Sequence, residues 1–203
     1  MDKEKILNLF DDNIVLSNKE IKEQLNIQNG AVLNTELKRL CDNQEIIRVG
    51  QGIYTRIRKT KWGNIIPNES NIVNAFYLKD NNGYVTDAAY LNKIGISTLI
   101  PLKKVVVTNR NCYKLNNTSN YIFKKPKIKI TGENILYLQF LDGIQCYFDN
   151  HVDVENPENI FIKLLDDFNL DKALLIIIAR KYYSKKVLNY ILDIEEKFYD
   201  EFT

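Results

Sequence analysis

The residues that could perform acid–base or metal chemistry are few in this sequence. His151 is the single histidine, and it lies between Asp149 and Asp153. One imidazole cannot supply a histidine-based triad or a multi-histidine metal site, and an isolated histidine among carboxylates is usually a surface or loop residue. Glycine-rich phosphate-binding loops are also missing from the sequence. We therefore predict a protein that is not an enzyme, with no catalytic residues, no metal and no cofactor.

One enzymatic alternative stays open. Asp142, Asp149 and Asp153 could hold a divalent cation beside a basic groove, which is the arrangement of a metal-dependent nuclease. No Glu-x-Lys sequence follows these carboxylates at a suitable position. A binding function therefore ranks above this alternative.

Charged residues are strongly segregated along the chain, although the net charge is only +2. Residues 48–61 carry five basic side chains and no acid, and residues 88–132 carry nine basic side chains and no acid. Residues 133–203 hold fourteen acids and seven bases. This asymmetry indicates an anionic partner for the basic regions, with nucleic acid as the first candidate. The alternative is a solvated basic surface without a partner.

Composition excludes several other classes. Hydrophobic residues make up 45% and charged residues 27% of the 203 residues, and no apolar run approaches the roughly 18 residues of a membrane span. The charged N-terminus has no secretory pattern. The three cysteines, Cys41, Cys112 and Cys146, are widely separated, so we expect reduced, buried thiols. These features predict a cytoplasmic protein.

The elements that would position a nucleic-acid site lie at the N-terminus. Helical spacing covers residues 2–11, and Ser17 with Glu20 forms a capping box that opens a second helix. In a third helix, Leu33, Leu37 and Leu40 share one apolar stripe. Its opposite face is polar.

A β-hairpin follows the third helix. Glu45–Val49 and Ile53–Arg58 have strand-like patterns, and Gly50-Gln51-Gly52 supplies the tip. Three helices followed by a basic hairpin predict a winged helix-turn-helix, whose third helix enters the major groove. A helical domain with a hairpin and no ligand is the alternative.

This arrangement predicts DNA-contacting residues. Asparagine can bond adenine through both side-chain amide atoms, and lysine reaches guanine or phosphate. We predict groove contacts from Asn29, Asn34, Thr35 and Lys38, and backbone contacts from Arg48, Arg56, Arg58 and Lys59. For the asparagines, ordinary helix surface is the alternative in so Asn-rich a sequence.

Lys61–Pro67 has the composition of a linker, which places a domain boundary near residue 63 and divides the chain into domains 1–62 and 63–203. The second domain is predicted to be α+β. Two helices are expected at residues 69–78 and 87–93. An antiparallel meander is expected from strands at Val105–Thr108, Tyr113–Leu115, Tyr121–Phe123 and Lys127–Ile130. Helices at residues 135–148, 157–168, 171–183 and 185–202 complete a helical C-terminal half.

Three segments carry a family resemblance. Ile46–Tyr54 resembles the end of a winged helix, and Gly95–Pro101 before the strand Val105–Asn109 looks like a Gly-x-Ser/Thr-Thr-x-x-Pro element that precedes a central hairpin. Leu170–Val187 is similar to a closing helix pair. Together, and over nearly the whole chain, they resemble the AbiEi antitoxin family of type IV toxin–antitoxin pairs. The Arg-rich recognition face of that family is largely replaced by Asn and Thr.

The resemblance implies a transcriptional repressor that binds its own promoter and an antitoxin domain that counteracts a nucleotidyltransferase-like toxin. A homodimer and cooperative binding on DNA are the two modes of association considered. The second basic region would then extend the DNA track or form the antitoxin surface, through Lys103, Lys104, Arg110, Lys124, Lys125, Lys127 and Lys129. A ligand-responsive transcription factor without a toxin is the other alternative.

Overall fold

Helices and short β-strands alternate along the chain, so the fold class is α+β, as predicted. The computed structural model describes residues 3–111, 115, 120–150 and 152–200. They form two compact units: the first contains residues 3–79 with Asn111 and Leu115, and the second contains the other described residues. The boundary predicted near residue 63 falls within the first unit. None of the helices in these ranges combines the length and apolar character that a membrane-spanning segment requires.

The first unit begins with three helices and a small antiparallel sheet. In chain order the elements are α1 (Lys3–Asp12), β1 (Val15–Ser17), α2 (Asn18–Gln24), α3 (Gly30–Asp42), β2 (Ile46–Gly50) and β3 (Ile53–Arg56). The strands are ordered β1-β3-β2. Both pairings of this central strand, β3, are antiparallel.

Local sequence explains these helices. The predicted capping box is present, because the Ser17 Oγ accepts from the Glu20 N–H and the Glu20 carboxylate accepts from the Ser17 N–H. The apolar stripe of α3 is confirmed, since Leu33, Leu37 and Leu40 are fully buried. With α1 and Ile21 they form the core of this unit.

The predicted linker is in part a second hairpin. β4 (Arg58–Thr60) pairs with β5 (Gly63–Ile65). Gly63 has φ 122°, which favours glycine after this two-residue turn. The predicted strand to Arg58 is interrupted at Ile57, whose N–H donates to the Glu45 carbonyl. Helix α4 (Glu69–Val73) then continues as one π-helical turn to Leu78.

The sheet of the second unit is mixed, which corrects the predicted antiparallel meander. Its elements are β6 (Gly83–Thr86), α5 (Ala88–Lys93), β7 (Lys104–Thr108) and β8 (Tyr121–Lys124). β6 is antiparallel to β7, and β7 is parallel to β8. Residues 109–120 separate β7 from β8, and this is enough chain to re-enter the sheet in the same direction.

No strand occupies Lys127–Ile130, contrary to the prediction. The Asn109 side chain accepts from the Ile130 N–H and donates to the Ile130 carbonyl, so a side chain replaces the ladder partner that a strand would need. Of the strand predicted at Tyr113–Leu115, only Leu115 is among the described residues, where it forms an isolated bridge with Gly50.

The helical C-terminal half is as predicted. Its helices are α6 (Ile135–Asp149), α7 (Pro157–Asp167), α8 (Lys172–Tyr182) and α9 (Lys185–Asp200). Phe140 and Phe161 pack edge to face between α6 and α7, with ring centroids 5.7 Å apart. Apolar side chains of all four helices form the core of the second unit together with Tyr84, Leu91 and Val107.

Candidate functional site

The polar face of α3 is exposed, as predicted, but three of its four predicted contact residues already have partners. The Asn29 Oδ1 caps the helix by accepting from the Ala31 N–H at 3.0 Å. The Asn34 Oδ1 accepts from the Asn18 side chain, and the Thr35 hydroxyl donates to the Ala31 carbonyl at 3.0 Å. Because adenine is bonded through both amide atoms, the Asn18–Asn34 contact must open before Asn34 can bind a base in that way.

The tip of the first hairpin lies beside this face. Gly52, with φ 66°, makes the turn, and its carbonyl accepts from the Asn18 N–H at 2.8 Å. Arg48 is exposed on β2, and its Nε donates to the Gly50 carbonyl at 3.1 Å. Asn18 therefore joins the hairpin tip to α3. Sequence reasoning missed Asn18, although its place as the first residue after the Ser17 cap was a usable signal.

The other predicted backbone-contacting residues lie at the opposite end of the sheet. In the strand register, Arg56 faces Ile46, whereas the tip closes between Gly50 and Ile53. Three residues of strand span about 10 Å. The Arg56 guanidinium is partly exposed and already has partners, because it contacts the Asp11 carboxylate and donates to the Leu7 carbonyl.

Arg58 and Lys59 belong to this remote region as well. They line a cleft of about 630 Å³ that also contains Asp11 and Glu45, so the base of the second hairpin has mixed charge. The structure thus separates the predicted DNA contacts into two places. Asn29 caps α3, on which Asn34, Thr35 and Lys38 lie, whereas Arg56, Arg58 and Lys59 line the cleft at the base of the second hairpin.

The basic residues of the second unit are spread along its sheet. Because β7 and β8 are parallel, Lys104 pairs in register with Tyr121 at one end of the sheet, and Lys124 pairs with Val107 toward the other end. Lys103, Lys125 and Lys129 are exposed, and Arg110 is half-buried. Lys104 and Lys124 are therefore about three strand residues, or about 10 Å, apart.

A polar cavity of about 420 Å³ opens in the second unit. Its wall carries both signs of charge and several neutral polar groups. The lining residues are Thr86, Asp87, Val107, Lys124, Lys125, Lys127, Asp142, Gln145, Cys146, Asp149 and Asn150. The Lys124 Nζ lies 3.9 Å from the Asp87 carboxylate.

Asp142 is the centre of a hydrogen-bond network at this cavity. The hydroxyls of Tyr84 and Tyr183 donate to its two oxygens at 2.7 and 2.8 Å. The Lys127 Nζ lies 3.5 Å from the same carboxylate and 3.3 Å from the centre of the Tyr183 ring. Lys127 is therefore an internal partner of Asp142 and only partly available as a surface cation.

The pKa values of this network follow from its environment. Burial first, and then the Asp142 charge, raise the pKa of the Tyr84 and Tyr183 hydroxyls well above 10. Burial lowers the pKa of Lys127, although the neighbouring carboxylate opposes that shift. Both tyrosines are therefore protonated donors at neutral pH.

The carboxylates of the nuclease alternative lie in different settings. Asp142 is occupied by its three partners, and Asp153 accepts from both the backbone N–H and the hydroxyl of Thr98 at 2.8 Å. Asp149 is exposed and contacts Gln145 at 3.4 Å. Within the described ranges, no three His, Cys, Asp or Glu side chains converge on a metal-sized space. His151 lies outside the described residues.

Two of the three cysteines are described. Cys41 is half-buried and Cys146 is buried, and both are free thiols. The Cys146 thiol donates to the Asp87 carboxylate at 3.2 Å, and burial raises its pKa far above 9. A thiol held protonated in this way is a poor nucleophile. Cys112 lies outside the described residues.

Residues 13–138 match the model of a family of unknown function, DUF6088. The chain belongs to this family. No curated protein shows a significant match to the sequence. The DUF6088 segment contains β1 through β8 and the first residues of α6, and so includes the α3 face and both hairpins. The segment ends before Asp142 and Tyr183, so it contains Tyr84 and Lys127 but not the other two residues of the network at the cavity.

Proposed function

We propose that this protein is a DNA-binding transcriptional regulator whose first unit is a winged helix-turn-helix. The main support is the exposed polar face of α3 beside a hairpin tip, in a unit whose helices and strands follow the order α1-β1-α2-α3-β2-β3. In winged helices the third helix reads the major groove and the hairpin contacts the backbone. The acid-free segment 46–68 adds a positive potential that suits phosphate.

Asn34 is the residue we propose to read a base, after release from Asn18. Replacing Asn34 with Ala should reduce operator affinity by about 1–3 kcal/mol and change affinity for random duplexes little. Asn43→Ala is the matched control, since Asn43 is exposed just beyond the other end of α3. Fluorescence anisotropy on the gene's own upstream duplex and on a scrambled duplex measures both. An unchanged ratio of the two affinities for Asn34→Ala would show that α3 is not the reading helix.

Phosphate contacts should make binding depend strongly on salt. We expect log K to fall linearly with log salt concentration, by about 0.9 for each phosphate neutralised. Lys38→Ala should make this slope shallower by about one phosphate contact, because Lys38 is exposed on α3. Binding that does not respond to salt, or no binding to the upstream duplex, would contradict the proposal.

We further propose that the second unit is the antitoxin part of an AbiEi-like protein, which represses its own promoter and counteracts a nucleotidyltransferase-like toxin in the cytoplasm. The sequence resemblance and the helix pair α8–α9 support this reading. Lys103 and Lys104 are its most suitable test residues, because they are exposed at the start of β7. Lys127 is unsuitable, since a carboxylate there would face Asp142.

Reversing Lys103 and Lys104 to Glu should prevent the protein from rescuing cells that express the toxin encoded beside it. Reversal of Lys163 and Lys185 to Glu is the control, because these exposed lysines belong to the acidic half and the charge change is equal. Colony counts, with circular dichroism of both variants, provide the measurement. Full rescue by the folded Lys103/Lys104 variant would exclude this surface from the antitoxin function.

A second candidate is a ligand-responsive regulator without a toxin, and the 420 Å³ cavity favours it because its volume lies in the range of small-molecule sites. Nucleotides and amino acids should then raise the thermal unfolding midpoint and change affinity for the upstream duplex. Stabilisation by none of these probes would leave the toxin-linked function as the proposal.

A further inference from the structure

The second hairpin, β4–β5, has no hydrophobic core of its own. All six residues of its strands are exposed, and Trp62 at the turn is 89% exposed. An indole is the largest apolar side chain, and burying it removes 150–250 Å² from water. Isolated surface hydrophobes are ordinary, but a tryptophan at the end of an exposed hairpin beside exposed Ile65 and Ile66 is a concentrated apolar surface.

Exposed lysines belong to the same hairpin as this tryptophan. Lys59 and Lys61 are exposed on the hairpin, and the Lys61 Nζ lies 5.7 Å from the centre of the Trp62 ring. The sequence holds no acid between Glu45 and Glu69. The acids of the neighbouring cleft, Asp11 and Glu45, lie with Arg58 and Lys59 at the base of the hairpin. The end of the hairpin therefore combines an apolar plane with the positive charge of Lys61.

We propose that this hairpin is a second DNA-contacting element, in which Lys61 binds phosphate and Trp62 inserts as an apolar wedge into the minor groove. Phosphates line both sides of the minor groove of duplex DNA, and an apolar side chain can insert from this groove between base pairs. An indole beside a lysine suits both features. The inference rests on the proposed DNA-binding function and adds to it an element distinct from α3. An inserted indole forms no hydrogen bond with a base edge, so we expect it to increase the affinity for every DNA sequence.

Trp62 is the single tryptophan of the chain, so its fluorescence reports on this site alone. On titration with the upstream duplex, we expect the emission to be quenched and the indole to become protected from acrylamide. Trp62→Ala should lower affinity for operator and random duplexes alike, by roughly 5- to 150-fold, the range found for aromatic contacts with bases. Because Trp62 packs against so little of the protein, the variant should fold normally.

Ile100→Ala is the matched control, since Ile100 is 84% exposed in the second unit. It should leave DNA affinity unchanged. Asn34→Ala should weaken operator binding yet show the same tryptophan quenching once DNA is saturating. This separates the hairpin from α3.

Other outcomes overturn the inference in distinguishable ways. DNA binding seen by anisotropy, with Trp62 still fully open to acrylamide, removes the hairpin contact and leaves the proposed function intact. No DNA binding by either measurement removes both. A blue shift only on vesicles of phosphatidylserine and phosphatidylcholine would assign the hairpin to a lipid surface. A shift that depends on protein concentration without DNA would assign it to a second copy of the chain.

Discussion

Asp142 shows how one carboxylate organises the chemistry around it. Two tyrosine hydroxyls and a lysine satisfy its oxygens: Tyr84 lies in β6, Lys127 in the segment after β8, and Tyr183 directly after α8. From the sequence, Lys127 was predicted to be a surface cation, because a sequence shows the charge of a residue but not its partner. Its partner could not be predicted, since the pairing depends on elements that meet only in the folded unit.

Asp142→Asn should destabilise the second unit. The amide cannot accept from both tyrosines and neutralise Lys127, so a half-buried cation and at least one hydroxyl lose their partner. We expect a loss of about 2–4 kcal/mol in the free energy of unfolding, measured by urea denaturation.

Asp149→Asn is the control for this variant, because Asp149 is exposed on the same helix and has one weak contact. Its effect should stay within about 0.5 kcal/mol. Equal effects of the two substitutions would mean that the Asp142 network contributes nothing beyond a surface charge.

At the scale of elements, the structure that depends on neighbouring residues in the sequence was predictable, and the structure that depends on distant residues was not. The helices of the C-terminal half and α3 follow from apolar spacing, and α2 follows from the Ser17 capping box. β6 was not predicted, because Gly83 was interpreted as the end of a helix. β8 was predicted to be antiparallel but is parallel to β7, because strand direction depends on the path of residues 109–120. For the candidate site, the α3 face was predictable, whereas the separation of Arg56 from the hairpin tip required the strand register.

Helix α6 packs so closely on α5 that one added methyl group at their contact should change the stability of the unit. A Cβ at Gly143 would lie 2.6 Å from the Tyr90 ring, and Tyr90 is fully buried. Gly143→Ala gains up to about 1 kcal/mol in helix propensity, but overpacking costs about 1–3 kcal/mol, so we expect net destabilisation in thermal unfolding.

Gly30→Ala is the contrasting substitution. Gly30 is the first residue of α3, and a Cβ there meets nothing within 4 Å. It should be neutral or stabilising by up to about 1 kcal/mol. A Gly143→Ala protein at least as stable as Gly30→Ala would mean that the Tyr90 ring can move aside at little cost.

At the scale of the whole molecule, stability should fall in alkaline solution. Tyr84 and Tyr183 have pKa values raised above their ordinary 10, and burial raises the pKa of Tyr90 to about 12. Above pH 10 the unfolded chain loses these protons and the folded chain keeps them. The stabilisation present below pH 10 is therefore lost as pH rises, by about 1.4 kcal/mol per pH unit for each group.

Urea denaturation at pH 9, 10 and 11 measures this loss. Lys127, whose pKa is lowered, contributes in the opposite direction, but only up to its ordinary value of 10.5. Tyr183→Phe keeps the ring beneath Lys127 and removes one raised pKa, so its stability should fall less steeply between pH 10 and 11. Parallel curves for this variant and the unaltered protein would contradict the proposed origin of the loss.

The partners of Asp142 also set an order of events during synthesis. Tyr84 precedes Asp142 by 58 residues, and Tyr183 follows it by 41. A ribosome synthesises the chain from its N-terminus, so Tyr84 leaves the ribosome before Asp142 does, and Tyr183 leaves it last. A product that stops short of residue 183 would carry Asp142 without one of its donors, and we expect cellular proteases to remove it faster than the complete chain.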